Sequence, residues 1–116
     1  MSGRPRLVRK GLWGGEHIGL QVENKGVRLE YDCAHGTIDK TLRLDRKGRF
    51  SVNGTHTREH GGPTLEGEQP DNHPALYTGQ VKGRRMVITI HLTDTKQTLG
   101  PFTLTYGKTP MLTKCL

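Results

Sequence analysis

Apolar and polar residues alternate with period two along most of the chain, and glycine and proline interrupt the alternation at short intervals. Residues two apart lie on the same face of a strand, so this pattern is typical of strands that bury one face. No long stretch keeps the 3.6-residue apolar period of a helix. The pattern predicts strands over residues 13–23, 27–33, 41–45, 49–56, 75–81, 85–93, 98–106 and 111–116.

These predicted strands follow one another through tight turns, with no crossover helix that a parallel sheet would need. The fold class is therefore all-β, as a small antiparallel up-and-down barrel of about eight strands. Closure removes the exposed sheet edges, and a β-sandwich is the alternative. The clearest hairpin turns at residues 24–26, and Val27, Leu29, Tyr31 and Cys33 face inwards after it. Residues 59–74 are predicted as one long loop.

The chain has 116 residues, which is the size of one domain, here residues 11–116 after a basic flexible arm at 1–10. Only 31% of the residues are hydrophobic and 5% are aromatic, so the core is thin. No apolar run is long enough for a membrane span. The basic start lacks the apolar stretch of a signal peptide. The compartment stays open, with export of the native form as one option.

Cys33 and Cys115 are the two cysteines, and neither belongs to a C-x-x-C pair. A disulfide between them would close a long loop and stabilise the fold by about 4 kcal/mol in the chain-entropy model. The alternative is two reduced cysteines that pack as small apolar residues.

A family resemblance begins at Gly11-Leu12-Trp13, which resembles the Gly-x-Trp opening of lipocalin-like and avidin-like barrels, in which the Trp closes one end. Further segments resemble small uncharacterised bacterial proteins, many of them exported. These segments are 13–18, 32–38, 58–63 and 114–116. The resemblance implies a bacterial β-barrel with a lipocalin- or avidin-like start, and it brings no activity with it.

The leading functional hypothesis is a non-catalytic module that binds a small, partly apolar molecule without a cofactor. Small or polar residues such as Gly54 and Gly79 interrupt the inward-facing sets and would leave room inside the barrel. Trp13 would close one end. The predicted ligand-binding residues are Trp13, His17, Tyr31, His35, His56, Arg58, Tyr77 and Phe102.

Two alternatives use other features of the chain. Among six histidines, His17, His35 and His60 could converge with Glu16 or Glu59 on a zinc ion that activates water for hydrolysis. Residues two apart share a strand face, but burial would raise the pKa of the Cys33 thiol, so a Cys33–His35 nucleophile is disfavoured. The other alternative is a protein-interaction or inhibitor module that presents the loop at 59–74.

Positive charge is the last feature of the sequence that could indicate a partner. Lys and Arg outnumber Asp and Glu by 18 to 11, and the net charge is +7. Basic residues surround two turns, at 43–49 and at 82–85. If these turns lie at one end of a barrel, they could attract phosphate backbones. Because the aromatic residues are predicted to face inwards, the platforms on which bases stack are missing, which argues against a nucleic-acid partner. The oligomeric state does not follow from the sequence.

Overall fold

The computed structural model describes residues 6–58 and 71–113, and within these ranges every regular element is a strand. The strands are β1 (Arg6–Leu7), β2 (Gly11–Gly15), β3 (Ile18–Glu23), β4 (Gly26–Tyr31), β5 (Ala34–Ile38), β6 (Arg43–Leu44), β7 (Arg49–Arg58), β8 (Asp71–Lys82), β9 (Arg85–Leu92) and β10 (Gln97–Tyr106). The described ranges contain no helix that could cross a membrane.

Eight of these strands close into one antiparallel barrel in the order β10-β2-β3-β4-β5-β7-β8-β9. The barrel closes where β10 pairs with β2, with Tyr106 opposite Trp13. Strands β1 and β6 pair with each other beside the barrel. The predicted up-and-down barrel is confirmed, because barrel neighbours follow one another along the chain.

The two ends of the barrel consist of different turns, since consecutive strands run in opposite directions. We call one the Trp13 end. It holds the β3–β4 turn, the β5–β7 connection, the β8–β9 turn and the segment that leads into β2. We call the other the Tyr31 end. It holds the β2–β3, β4–β5 and β9–β10 turns and the ends of β7 and β8 that border residues 59–70.

Eight strands were predicted and eight form the barrel, but several of them differ. The run 13–23 is wrong as one strand, because the chain reverses at Glu16 and His17, where His17 has a φ of +69°. Trp13 is out of phase with Ile18, and both are fully buried. Gly14 and Gly15 carry no side chain between them, so the phase change leaves little trace in the pattern.

Strand β5 was not predicted, because its inward positions carry Ala34 and Gly36 instead of large apolar residues. The segment 41–45 contributes only β6, outside the barrel. Cys33 lies in the β4–β5 turn with a φ of +58° and does not continue the inward face of β4.

The predicted closing strand is also wrong in its described part. Met111 forms an isolated parallel bridge with Glu16, outside the barrel. The predicted loop at 59–74 is too long, because β8 begins at Asp71. Residues 59–70, which include Glu59 and His60, lie outside the described residues.

The middle of the barrel is filled by side chains. A Cβ added to Gly36 would lie 2.3 Å from the Tyr77 hydroxyl oxygen, and one added to Gly54 would lie 2.8 Å from a carbon of the same ring. At Gly79 the Phe50 ring stands 2.5 Å away from such a Cβ. The small residues that were expected to leave room for a ligand instead accommodate two aromatic rings.

After β10 the chain returns along the outside of the barrel, and we call residues 107–113 the strap. Gly107 N–H donates to the Leu12 carbonyl at 2.7 Å, and Met111 N–H donates to the Gly15 carbonyl at 3.0 Å. Pro110 covers Gly19, where a Cβ would lie only 2.3 Å from its ring. The strap therefore runs from the Trp13 end to the Tyr31 end.

The strap ends beside the β4–β5 turn, where Thr113 N–H donates to Asp32 Oδ1 at 2.6 Å. Asp32 precedes Cys33, and Thr113 lies two residues before Cys115. Cys115 itself lies outside the described residues, so the disulfide between the two cysteines stays a prediction.

Candidate functional site

At the Trp13 end, aromatic side chains pack with their polar atoms hydrogen-bonded. Trp13 is fully buried, and its indole N–H donates to the Arg9 carbonyl at 2.9 Å. Tyr106 meets Trp13 edge-on, with ring centroids 5.1 Å apart, and its hydroxyl donates to the Lys10 carbonyl at 2.7 Å. The Arg9 guanidinium carbon lies 4.6 Å from the centroid of the Tyr106 ring. Trp13 is thus buried and hydrogen-bonded at this end, and the end-closing role that the Gly-x-Trp resemblance implies stays a prediction.

At the Tyr31 end, two buried polar groups lie close together without hydrogen bonds. Tyr31 is the last residue of β4 and is 8% exposed, and His56, on β7, is 3% exposed. Their ring centroids are 5.2 Å apart. Among the described residues, neither the Tyr31 hydroxyl nor His56 Nδ1 has a hydrogen-bond partner. Of the polar side-chain atoms buried in the described barrel, only these two are unpartnered.

The surroundings set the protonation states of this pair. Burial raises the pKa of Tyr31 well above its usual value, and the neighbouring Tyr77 hydroxyl adds to the shift, so Tyr31 keeps its proton. Burial also lowers the pKa of His56, and the charge of His73 lowers it further. A neutral His56 has one ring nitrogen that accepts and one that donates. The pair therefore offers one hydroxyl donor and an imidazole that can accept.

Phe102 lies on the apolar side of the pair, with its ring centroid 6.3 Å from that of Tyr31. It is half-buried and packs against the core together with Leu99. Strand β10 is irregular between Leu99 and Phe102, where its register against β9 shifts. The site thus combines two polar groups with an apolar wall.

A charged network surrounds the same end of the barrel. His73 pairs with Asp94 at 2.7 Å and with Asp71 at 2.8 Å, and its side chain is 15% exposed. Arg58 lies 3.9 Å from Asp71 and donates to the Gln97 side-chain oxygen at 3.4 Å. The hydrogen bond that the His73 ring donates to the Asp94 carboxylate raises the pKa of His73. The network thus contains both acidic and basic side chains.

The structure does not gather all of the remaining predicted ligand residues at this pair. The Tyr77 hydroxyl is a neighbour of Tyr31, but its ring fills the middle of the barrel and the hydroxyl donates to the Thr55 carbonyl at 2.7 Å. His35 lies on the outer face of β5, with Ala34 and Gly36 facing inwards. His17 is exposed in the β2–β3 turn and pairs with Asp32. Trp13 lies at the opposite end from Tyr31.

The described residues do not form the zinc site that the sequence analysis considered as an alternative. Within 6–58 and 71–113, no three His, Cys, Asp or Glu side chains are grouped so that they could hold a metal ion. His17 lies in the β2–β3 turn, His35 lies on β5, and His60 lies outside the described residues.

Sequence reasoning missed His73, Asp71 and Asp94. The signal for His73 was present, because the inward alternation of Tyr77 and Ala75 on β8 extends back to residue 73. Because the predicted strand began at Ala75, this continuation of the alternation was not recognised. His56 and His73 are direct neighbours across β7 and β8.

We compared the chain with known proteins in three ways. No protein-family model, no curated protein and no solved structure matches it. The resemblance to small bacterial barrels therefore stays a prediction, and a function has to be argued from the residues at the Tyr31 end.

Proposed function

We propose that the barrel binds a small molecule at its Tyr31 end, and that this molecule carries one hydroxyl group on an apolar body. The observation that carries the proposal is the unpartnered pair of Tyr31 and His56. A buried polar group without a hydrogen bond costs about 1–3 kcal/mol. A ligand atom that bonds both groups would recover that cost, which favours binding at this position.

The chemistry of the pair selects the ligand's polar group. A hydroxyl oxygen can accept the proton of the Tyr31 hydroxyl and donate its own proton to an accepting nitrogen of His56. An ionised carboxylate can only accept, and the Asp71 and Asp94 carboxylates, which pair with the neighbouring His73, would repel it. An ammonium group can only donate, so it leaves the Tyr31 proton unpartnered. A neutral hydroxyl fits both partners.

The size of the ligand follows from the packing below it. Tyr77 and Phe50 fill the middle of the barrel, so we place the ligand beside Tyr31, His56 and Phe102 and not deeper in the barrel. Its apolar part would lie against the half-buried Phe102 ring. This makes the protein a binding module for one small molecule, without chemistry on it.

The first probe is benzyl alcohol, and its control is toluene, which has the same ring and no hydroxyl. We expect benzyl alcohol to shift the NMR resonances of the Tyr31 and His56 rings and to leave Trp13 unchanged. Tyr31→Phe should weaken the binding of benzyl alcohol by about two- to tenfold, which is the effect of losing one hydrogen bond, and should leave the binding of toluene unchanged.

The matched control is Tyr106→Phe, which removes a hydroxyl that is bonded to the Lys10 carbonyl at the Trp13 end. It should leave the affinity for benzyl alcohol unchanged. The proposal fails if Tyr31→Phe and Tyr106→Phe act alike, or if a set of small alcohols leaves both rings undisturbed. It also fails if a water molecule bridges Tyr31 and His56 and no probe displaces it.

A further inference from the structure

The basic turns of the chain lie together at the Trp13 end. The segment leading into β2, the β3–β4 turn, the β5–β7 connection and the β8–β9 turn all reach this end. They carry eleven exposed basic side chains: Arg9, Lys10, Lys25, Lys40, Arg43, Arg46, Lys47, Arg49, Lys82, Arg84 and Arg85. Three acidic side chains accompany them: Glu23, Asp39 and Asp45.

The opposite end carries the opposite balance in its described part. Its acidic side chains are Glu16, Glu30, Asp32, Asp71 and Asp94, and its basic ones are Arg58 and Lys96. The net positive charge of the described barrel is therefore concentrated at the Trp13 end. Such a separation orients a protein with this end toward a negatively charged surface.

The arrangement of charges at the Trp13 end favours binding to a broad negatively charged surface over binding to a single anion. Its surface hollows are lined by both signs, for example Lys10 and Lys25 together with Glu23 and Asp39. Of the acidic residues here, Asp45 is bonded to Arg49 at 3.3 Å. The most cationic of the described hollows, lined by Lys25, Lys40 and Arg43, also includes Asp39. The positive charge is spread over several turns.

Two observations separate a lipid surface from a nucleic acid. Leu7 is an apolar side chain that is 49% exposed, and it pairs with Arg43 in the small sheet at this end. An exposed leucine among basic residues suits the boundary between lipid headgroups and acyl chains. By contrast, Trp13 is fully buried and the Tyr106 ring is covered by Arg9, so neither provides a platform on which bases could stack.

We propose that the Trp13 end binds peripherally to a membrane surface that contains anionic lipids. In this orientation the basic turns contact the headgroups, Leu7 enters the interface and the Tyr31 end faces away from the membrane. Each basic residue near such a surface contributes enough attraction for about a fivefold change in affinity. The interaction is independent of the ligand site.

Vesicle co-sedimentation tests this with the full chain. Vesicles of phosphatidylcholine and phosphatidylglycerol should bind the protein, and vesicles of phosphatidylcholine alone should not. Raising the ionic strength from about 0.1 M to about 1 M should release it, because the Debye length falls from about 10 Å to about 3 Å. Binding to both kinds of vesicle, or binding that resists salt, overturns the proposal.

A pair of single substitutions distinguishes a defined surface from an effect of net charge. Arg84→Gln, in the β8–β9 turn, should weaken vesicle binding about fivefold. Lys96→Gln removes the same charge from the β9–β10 turn at the Tyr31 end and should change nothing. Both side chains are exposed, and thermal unfolding verifies that the two variants fold alike. Equal losses for the two variants contradict the proposal.

A third variant and a second target separate lipid from nucleic acid. Leu7→Ser should reduce binding to the anionic vesicles and should not alter the weak association with a labelled DNA duplex. If the duplex is bound more tightly than the vesicles, or if Leu7→Ser has no effect on vesicle binding, the surface is not a lipid-binding one.

Discussion

The two ends of the barrel differ in the hydrogen bonding of the polar atoms on their ring side chains. At the Trp13 end, the indole of Trp13 and the hydroxyl of Tyr106 each donate to a backbone carbonyl. At the Tyr31 end, the Tyr31 hydroxyl and His56 Nδ1 are buried without partners in the described structure. Buried polar groups in folded proteins are bonded in the great majority of cases. This difference is the reason why we place the proposed ligand at the Tyr31 end and not at the Trp13 end.

Truncation of an aromatic residue at each end should show the largest effect. Trp13→Ala should lower the free energy of unfolding by about 3–5 kcal/mol, because it empties a fully buried site. Phe102→Ala, at the half-buried wall of the Tyr31 end, should cost about half as much. Urea unfolding followed by far-UV circular dichroism measures both. A larger loss from Phe102→Ala would show that the Tyr31 end is the better-packed one.

Removal of one hydroxyl oxygen sharpens the comparison between bonded and unbonded groups. Tyr77→Phe should cost about 1 kcal/mol, because it deletes the hydrogen bond to the Thr55 carbonyl. Tyr31→Phe should leave the ligand-free protein equally stable or raise its stability by up to about 1 kcal/mol, since no bond is lost. Thermal and urea unfolding of both variants provide the test. A destabilised Tyr31→Phe would mean that the hydroxyl already has a partner.

The pKa values of the two neighbouring histidines at the Tyr31 end, His56 and His73, should be shifted in opposite directions from 6.5. The pKa of His73 is raised, so its stabilising contribution is fully present below pH 6.5 and is lost as the pH rises through the raised value. The pKa of His56 is lowered, so stability falls as the pH drops from 6.5 through the lowered value. NMR titration of the ring protons measures both pKa values directly.

Unfolding of His73→Gln across the same pH range supplies the control for this small effect. The stability difference between the parent chain and His73→Gln should shrink above pH 6.5. The Asp94 partner has a lowered pKa because of its hydrogen bond to His73, so its contribution is present above 3.8 and is lost as the pH falls through the lowered value. A difference that grows with rising pH would show that the network is not built on charged His73.

The sequence predicted the barrel because the inward positions of β4 and β9 carry large apolar residues in strict alternation, such as Leu29 and Ile88. It failed where inward positions are small. Strand β5 was not predicted because Ala34 and Gly36 give no apolar alternation. The reversal before Ile18 was not predicted because Gly14 and Gly15 carry no side chains. Small residues carry no hydrophobic signal, although here they admit the Tyr77 ring and the strap.

The candidate site was predictable only in part. Tyr31, His56, Arg58 and Phe102 were expected at the ligand site, and the structure brings them to one end. Alternation assigns residues to the inner or outer face of a strand, but position along the barrel axis depends on strand pairing. That is why Trp13 and Tyr31 could not be assigned to different ends from the sequence. The network through His73 and Asp94 depends on the same pairing.

The strap has a practical consequence for experiments. Because residues 107–113 run the length of the barrel, Leu7 lies at the Trp13 end and Thr113 lies at the Tyr31 end. A tether attached next to Thr113 leaves the Trp13 end free to contact a vesicle in a biosensor cell. A tether on the amino-terminal side leaves the Tyr31 end open to small molecules. One chain can thus be immobilised in two orientations, so that lipid contact and ligand uptake are measured separately.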